Sequence, residues 1–252
     1  MSAPTDLDKL SVEEFAARCR EAMTPVSSRV SYFPALPLAE EDLKEYVEEP
    51  VAALPPALSA TLPHVYIALV PYLETMNGKT KQSNPAHVVA FEKPAEKRQA
   101  AFGQTVSGDQ AALLFAIKDR QVADYHYDFY HALAALAADR AGEERRNQFY
   151  GLLREELRSR IHGEVDQEGW RLKEAMLRRQ INPRRETKLF LEYARQAFVD
   201  TLTLYLHGIC CDIDVEPGPR QLPSRYLRKR LQLLETLYPP PEGYAIFPAE
   251  AK

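Results

Sequence analysis

The residues best suited to chemistry in this sequence are Asp124, Asp128 and His131, which follow one another at intervals of four and three positions. On an α-helix this spacing places the three side chains on one face, and carboxylates and imidazoles are common ligands of divalent metal ions. A later helical stretch carries Asp200 and His207, seven positions apart. If the two helices pack together, these five residues predict a divalent-metal site that could serve a metal-dependent hydrolase. The alternative is that the first three side chains are solvated, because they lie opposite the apolar face of their helix.

The order of parts around His131 is a small sheet, then a strand, then a helix that carries this histidine, then further helices. This order resembles that of the zincin metallopeptidases over about half of the chain. The family requires HExxH, in which two histidines hold zinc and the glutamate is the general base. Here the residues from His131 read HALAA, so that Ala132 replaces the glutamate and Ala135 replaces the second histidine. This difference from the motif excludes an ordinary zinc peptidase. The resemblance then implies a degenerate, metallopeptidase-like protein that lacks HExxH.

No other complete catalytic motif occurs in the sequence. It contains no GxSxG nucleophile elbow, no GxGxxG dinucleotide motif and no P-loop. Its three cysteines include the adjacent Cys210 and Cys211, and their spacing is neither a disulfide framework nor the CxxC of a zinc site. The leading interpretation is therefore a binding or interaction protein without a recognisable catalytic site, and whether the protein is an enzyme stays an open question.

Charge is segregated along the chain. Residues 171–188 hold seven bases against two acids, residues 220–230 hold five bases and no acid, and residues 1–50 hold eleven acids against five bases. The two basic segments predict a basic patch that consists of Arg178, Arg179, Arg184, Arg185, Arg225, Arg228, Lys229 and Arg230.

Such a basic patch could serve three purposes. It could bind an acidic protein partner, balance the acidic N-terminal region of the same chain, or contact the phosphates of a nucleic acid. The formal net charge of -4 opposes the approach of a polyanion. We therefore expect an acidic protein partner and keep nucleic-acid binding as a second alternative.

Three segments in the first half of the chain have the composition of strands. They are rich in β-branched and aromatic residues, which favour buried, pleated structure. These segments are residues 64–73, 87–93 and 112–117. The intervening residues 94–108 are charged and contain glycine, so we expect a solvated loop there. The pattern predicts a small sheet that is mainly antiparallel or mixed.

After residue 119 the apolar residues take a helical spacing. We expect a basic helix at 224–237 and a long central helix at 182–208, in which Asn182 would be the N-cap and Pro183 the first helical residue. The predicted fold class is therefore α+β and helix-rich, with a small sheet packed against a helical half.

The chain divides by composition into an α+β portion, residues 1–118, and a helical portion, residues 119–252. No Gly/Ser-rich linker separates the two portions, so we expect them to share one continuous core. No stretch approaches the roughly 20 apolar residues that cross a membrane, and the chain begins with the polar, acidic MSAPTDLDKL. We expect a cytoplasmic protein without a membrane partner.

Overall fold

The computed structural model describes residues 6–76, 86–179, 182, 185–210 and 220–246. Its fold is α+β and helix-rich, as predicted, with two small sheets in the first half of the chain and helices after them. The chain forms two compact units. The first consists of Met1–Ala52 with Leu62–Phe129, and the second of Ala53–Thr61 with Tyr130–Lys252. The expected division at residue 118 and the expected single core both stay predictions.

Nine α-helices occur within the described ranges. They are α1 (Val12–Cys19), α2 (Glu40–Leu43), α3 (Glu49–Ala52), α4 (Pro56–Ser59), α5 (Val122–Arg140), α6 (Glu143–Arg158), α7 (Gln167–Arg178), α8 (Lys188–Cys210) and α9 (Ser224–Leu237). Two 3-10 turns, Arg20–Ala22 and Glu96–Arg98, and one π-helical turn, Lys44–Glu48, accompany them.

The same ranges contain eight strands. They are β1 (Thr24–Pro25), β2 (Val30–Pro34), β3 (His64–Val70), β4 (Tyr72–Thr75), β5 (His87–Ala90), β6 (Gln99–Ala100), β7 (Phe102–Ser107) and β8 (Gln110–Ala116).

The first unit is built on a five-stranded mixed sheet with the order β1-β2-β3-β8-β7. The three inner strands run parallel, and both edge strands pair antiparallel with their neighbours. Strands β3 and β8 are paired on both sides, and their residues are buried on both faces of the sheet. This position explains why both strands read as continuous apolar runs rather than as alternating patterns.

Residues 64–73, which we expected to be one strand, form two strands that belong to different sheets. Strand β3 ends at Val70, and β4 begins at Tyr72 in a three-stranded antiparallel sheet of order β5-β4-β6. Pro71 lies between them and has no amide hydrogen to donate to a ladder. The proline therefore separates two strands that belong to different sheets.

The prediction of a solvated loop at residues 94–108 was wrong, because this segment contains β6 and β7. Strand β7 pairs with β8 from Phe102 opposite Phe115 to Ser107 opposite Gln110. It is an edge strand with largely exposed side chains, so it lacks the apolar composition on which a sequence-based strand prediction depends.

The start of α1 follows the capping box that the sequence contains at Ser11 and Glu14. The Glu14 amide donates to Ser11 Oγ over 3.2 Å, and the Ser11 amide donates to the Glu14 carboxylate over 2.9 Å. Two amides that have no partner within the helix are thereby satisfied. The helix then buries Phe15 and Cys19 in the core of the first unit.

Helix α8 is the central helix of the second unit, and α6, α7 and α9 all contact it. Most of its length is buried. The buried Thr201 and Thr203 hydroxyls donate to the carbonyls of Ala197 and Val199, four residues earlier, over 2.6 and 2.8 Å. These bonds allow polar side chains to lie in an apolar environment.

The predicted N-cap of α8, Asn182, was wrong by five residues, whereas the predicted bounds of α9 are confirmed. Thr187 caps α8, because its hydroxyl accepts a 3.2 Å hydrogen bond from the Phe190 amide. Pro183 lies outside the described residues. No helix in the described part of the chain is both long enough and apolar enough to cross a membrane.

The cap assignment predicts that Thr187→Ala lowers the free energy of unfolding by about 1 kcal/mol, the usual cost of losing an N-cap side chain. Urea denaturation followed by circular dichroism measures this change. Asn182→Ala is the control, since it alters the cap expected from the sequence and should have the smaller effect. A larger loss for Asn182→Ala than for Thr187→Ala would contradict the assignment.

Candidate functional site

Asp124 and Asp128 lie on the first two turns of α5, in the first unit. The Asp124 side chain is exposed, and the Asp128 carboxylate accepts a 2.9 Å hydrogen bond from the Arg120 guanidinium. This ion pair directs Asp128 towards a cation of its own chain. His131 is half-buried and belongs to the second unit, because the boundary falls between Phe129 and Tyr130.

Asp200 and His207 lie on α8 in different surroundings. The imidazole of His207 is half-buried, with its centroid 6.0 Å from that of the Tyr130 ring. Asp200 is buried, and one of its oxygens accepts a 2.8 Å hydrogen bond from the Gln196 amide. Among the described residues, no three His, Cys, Asp or Glu side chains come together in a group that could hold a metal ion. The five candidates thus have no such cluster to support them, and metal binding stays a prediction.

The second unit contains a buried network of ion pairs centred on Arg230 of α9. Its side chain is fully buried, although the sequence placed Arg230 in the basic surface patch. The guanidinium donates to both oxygens of Glu156, over 3.1 and 2.6 Å, and to both oxygens of Glu164, each over 2.8 Å. One guanidinium therefore joins two carboxylates, each through a bidentate pair, which is the strongest geometry for this type of ion pair.

Glu164 is the second centre of the network. Its carboxylate also accepts hydrogen bonds from Lys173 of α7, over 3.1 Å, and from the Tyr193 hydroxyl of α8, over 2.6 Å. Lys173 is as buried as its partner and donates a further 2.8 Å bond to the Gly163 carbonyl. The network thus ties together α6, α7, α8 and α9 through side chains that have almost no contact with water.

The charges of this network determine the protonation of Glu164. Burial raises the pKa of its carboxyl, but the charge and hydrogen bonds of Arg230, together with Lys173 and Tyr193, outweigh burial and lower the pKa to about 2. Because the folded-state pKa lies below the ordinary value of 4.5, the interaction stabilises the fold above that pH. The stabilisation is lost as the pH falls towards 2.

Main-chain hydrogen bonds of Glu164 fix the position of the segment that precedes α9. The Glu164 amide donates to the Arg220 carbonyl over 2.9 Å, and the Leu222 amide donates to the Glu164 carbonyl over 3.0 Å. Gly163 has a φ of +84°, and a Cβ at this position would lie 2.1 Å from the Gln221 carbonyl oxygen. Only glycine permits this conformation and this close contact, so the short parallel bridge explains the glycine in the sequence.

Asp200 is a fifth buried ionisable group of the second unit. Its Oδ2 has no hydrogen-bond partner, and a Cβ added to Gly169 of α7 would lie 3.0 Å from this oxygen. Burial raises the pKa of Asp200 to about 7, against the hydrogen bond from Gln196. The negative charges of Asp166 and Glu164 raise the pKa further, and Arg230 lowers it.

The exposed cations of α9 form what we call the α9 face: Arg225, Arg228 and Lys229. These three residues occupy the first two turns, and no acidic residue occurs in the first turn. The positive end of the helix dipole opposes cations at this position. Cations at the start of α9 add to the positive potential of the helix dipole. An anionic ligand at this position would offset that potential.

Two cations of the α9 face are held on an aromatic ring. The Arg225 guanidinium carbon lies 4.7 Å, and the Lys229 ammonium 5.7 Å, from the centroid of the Tyr226 ring. Neither side chain has an ion pair with another residue in the described ranges. The ring limits their movement without neutralising their charge, so both cations stay available to an anion.

The other members of the predicted basic patch are less organised. Arg178 and Arg179 are exposed at the end of α7, and Arg185 is exposed before α8. Arg184 lies outside the described residues. No aromatic stack holds Arg178, Arg179 or Arg185 in the described structure, so α9 is the better-ordered part of the patch.

A surface groove of about 640 Å³ lies in the second unit where the end of α5 meets α6 and α8. Its described lining consists of Ala138, Asp139, Glu143, Arg146, Asn147, Tyr150, Glu186, Leu191 and Arg195. Arg195 is paired with Asp139 through two bonds of 2.7 and 3.0 Å. The lining contains no serine, cysteine or histidine, so these residues provide no Ser–His or Cys–His pair for nucleophilic catalysis.

Sequence reasoning missed the buried network. Glu164 is 1% exposed, whereas His162, two residues earlier, is exposed. A signal was present in the helical stripes. Glu156 follows Leu153 by three positions, and Arg230 precedes Leu234 by four, so both charged residues lie in register with apolar core positions.

No protein-family model, curated protein or solved structure matches this chain.

The surroundings of Asp200 predict that stability falls as the pH rises from about 4 to about 7. In this range the unfolded chain, with an ordinary pKa of 3.8, has released the proton that the folded state still holds. The contribution is on the order of 4 kcal/mol at its upper limit, from about 1.4 kcal/mol for each unit of pKa difference.

Asp200→Asn removes this titration while it preserves the shape of the side chain. Urea denaturation of both proteins at a series of pH values gives the difference in free energy of unfolding. We expect the variant to become more stable relative to the wild type between pH 4 and 8. A difference that stays constant over this range would show that the pKa of Asp200 is not raised in the folded protein.

Proposed function

We propose that this protein is a cytoplasmic interaction protein, without a catalytic site of its own, that binds an acidic segment of a partner protein through the α9 face. The observation that carries the proposal is the pair of cations on the first two turns of α9, Arg225 and Lys229, which are held on the Tyr226 ring and have no ion pair with another described residue. The cytoplasmic location rests on the cysteine content of the sequence, which favours neither disulfides nor a zinc site.

The buried network supports the proposal because it gives α9 a fixed orientation. Arg230 directs one side of the helix into the core, and Leu234 lies on the same side one turn later. The α9 face is the opposite side of this helix. A rigid basic surface loses little conformational entropy when it binds, which is what a preformed recognition surface requires.

An acidic protein segment suits the α9 face better than a nucleic acid does. Two cations one helical turn apart, Arg225 and Lys229, match the side chains of a short acidic segment. A polyanion would also meet the overall charge of -4, which opposes its approach. The metal-dependent hydrolase stays an alternative prediction without a ligand cluster to support it.

Fluorescence anisotropy with a labelled oligoglutamate peptide tests the proposal. We expect binding that weakens as salt is added, because the interaction depends on charges at the surface. Arg225→Glu combined with Lys229→Glu should weaken binding about tenfold or more, equivalent to roughly 1.4 kcal/mol. Both side chains are exposed, so the fold should be unaffected.

The matched control is Arg178→Glu combined with Arg179→Glu. These two residues belong to the other basic segment, and their substitution changes the net charge of the protein by the same amount. The control should retain most of the affinity for oligoglutamate. Equal loss in both variants would indicate attraction by net charge alone and would contradict a site on α9. A labelled oligonucleotide that binds more tightly than oligoglutamate at physiological ionic strength would favour the nucleic-acid alternative instead.

A further inference from the structure

The sequence contains a single tryptophan, Trp170, and an exposed arginine lies over its ring. The guanidinium carbon of Arg220 is 4.7 Å from the ring centroid. Trp170 is half-buried on the first turns of α7. Within the described part of the chain, the Arg220 guanidinium has neither an ion pair nor a hydrogen bond. It is thus a cation that the fold positions but does not neutralise.

The backbone of Arg220 is fixed from the other side. Its carbonyl accepts the 2.9 Å hydrogen bond from the Glu164 amide, and Glu164 is anchored in the buried network by Arg230 and Lys173. The residue is therefore held at its main chain by the core and at its guanidinium by an aromatic ring. A long surface side chain loses considerable rotamer entropy on binding, and this double restraint removes part of that cost in advance.

The chemistry of a stacked guanidinium defines its ligand. A guanidinium that stacks on an aromatic ring keeps its N–H edge free to donate two parallel hydrogen bonds. Carboxylates accept such a pair with matching geometry, and the ammonium of lysine cannot reproduce it. Arg220 precedes the first residue of α9 by four positions, which limits the distance from its α-carbon to that of Ser224 to about 14 Å. One acidic segment can therefore reach both Arg220 and the start of the α9 face.

We propose that Arg220, stacked on Trp170, is a carboxylate-binding subsite that takes one Glu or Asp side chain of the acidic partner segment in a bidentate pair. This inference rests on the proposed function and deepens it, since it assigns recognition of the carboxylate group, and not only of negative charge, to a defined residue. Arg220 is not one of the residues of the predicted basic patch.

Two readouts from one titration test the subsite. Oligoglutamate binding is followed by anisotropy of the labelled peptide and, with unlabelled peptide, by the emission of Trp170. We expect the emission to change and to saturate at the concentration at which the anisotropy saturates. Arg220→Lys, which keeps the charge, should weaken binding about fivefold to tenfold and should suppress most of the emission change. Arg220→Ala should have the same effects, and oligolysine should have no effect on the wild type.

The outcomes separate this inference from the function on which it rests. Oligoglutamate binding that depends on Arg225 and Lys229, but leaves Trp170 emission unchanged and is as tight in Arg220→Lys as in the wild type, overturns the subsite and leaves the α9 face intact. Absence of any oligoglutamate binding by the wild type overturns both. Because Arg220 and its variants are exposed and the network uses only the main chain of this residue, folding of the variants is expected and is checked by circular dichroism.

Discussion

The second unit depends on the neutralisation of charges that have been removed from water. Burying an unpaired carboxylate or guanidinium costs several kcal/mol even after relaxation. Here two carboxylates, Glu156 and Glu164, are matched by two cations, Lys173 and Arg230, and bonds of 2.6 to 3.1 Å join them. The four charges sum to zero. Burial raises the pKa of Asp200, the remaining buried acid of this unit, to about 7, so its charge is disfavoured there.

This requirement also constrains the surface. Arg230 reaches its two partners only when one side of α9 faces the core, so the side with Arg225 and Lys229 must face outward. The Glu164 main chain bonds to the segment before α9 and thereby sets the position of Arg220 beside Trp170. Structural and proposed functional roles are thus divided among the basic residues of a single stretch. Arg230 neutralises the core, and Arg220, Arg225 and Lys229 remain available to a ligand.

The parts of the fold that are visible in the sequence are those in which burial produces a periodic pattern. The bounds of α9 and the capping box at Ser11 follow from apolar spacing and local hydrogen bonding, and the structure agrees with both. Strand β7 was missed because an exposed edge strand has no apolar pattern, and α8 was started too early because Asn-Pro is also common in turns. Local sequence rules do not report which segments meet.

The same limit applies to the candidate site. A carboxylate at an apolar position, as at Glu156, indicates a buried charge, but its partner Arg230 is 74 residues away and is identified only by the tertiary structure. A face of potential metal ligands, as at Asp124, Asp128 and His131, is easy to find in a sequence. Whether further ligands join it depends on packing, and the described residues contain no such group.

The free energy of unfolding of Arg230→Met, compared with that of Arg225→Met, tests the central claim most directly. Both variants exchange an arginine for methionine on the same helix, but only the first leaves Glu156 and Glu164 without their shared partner. We predict a loss of about 3–5 kcal/mol for Arg230→Met, the usual effect of removing one member of a buried ion pair. We predict a change within about 0.5 kcal/mol for the exposed Arg225. Equal, small changes in the two variants would contradict the account, because they would show that the fold does not depend on the buried network.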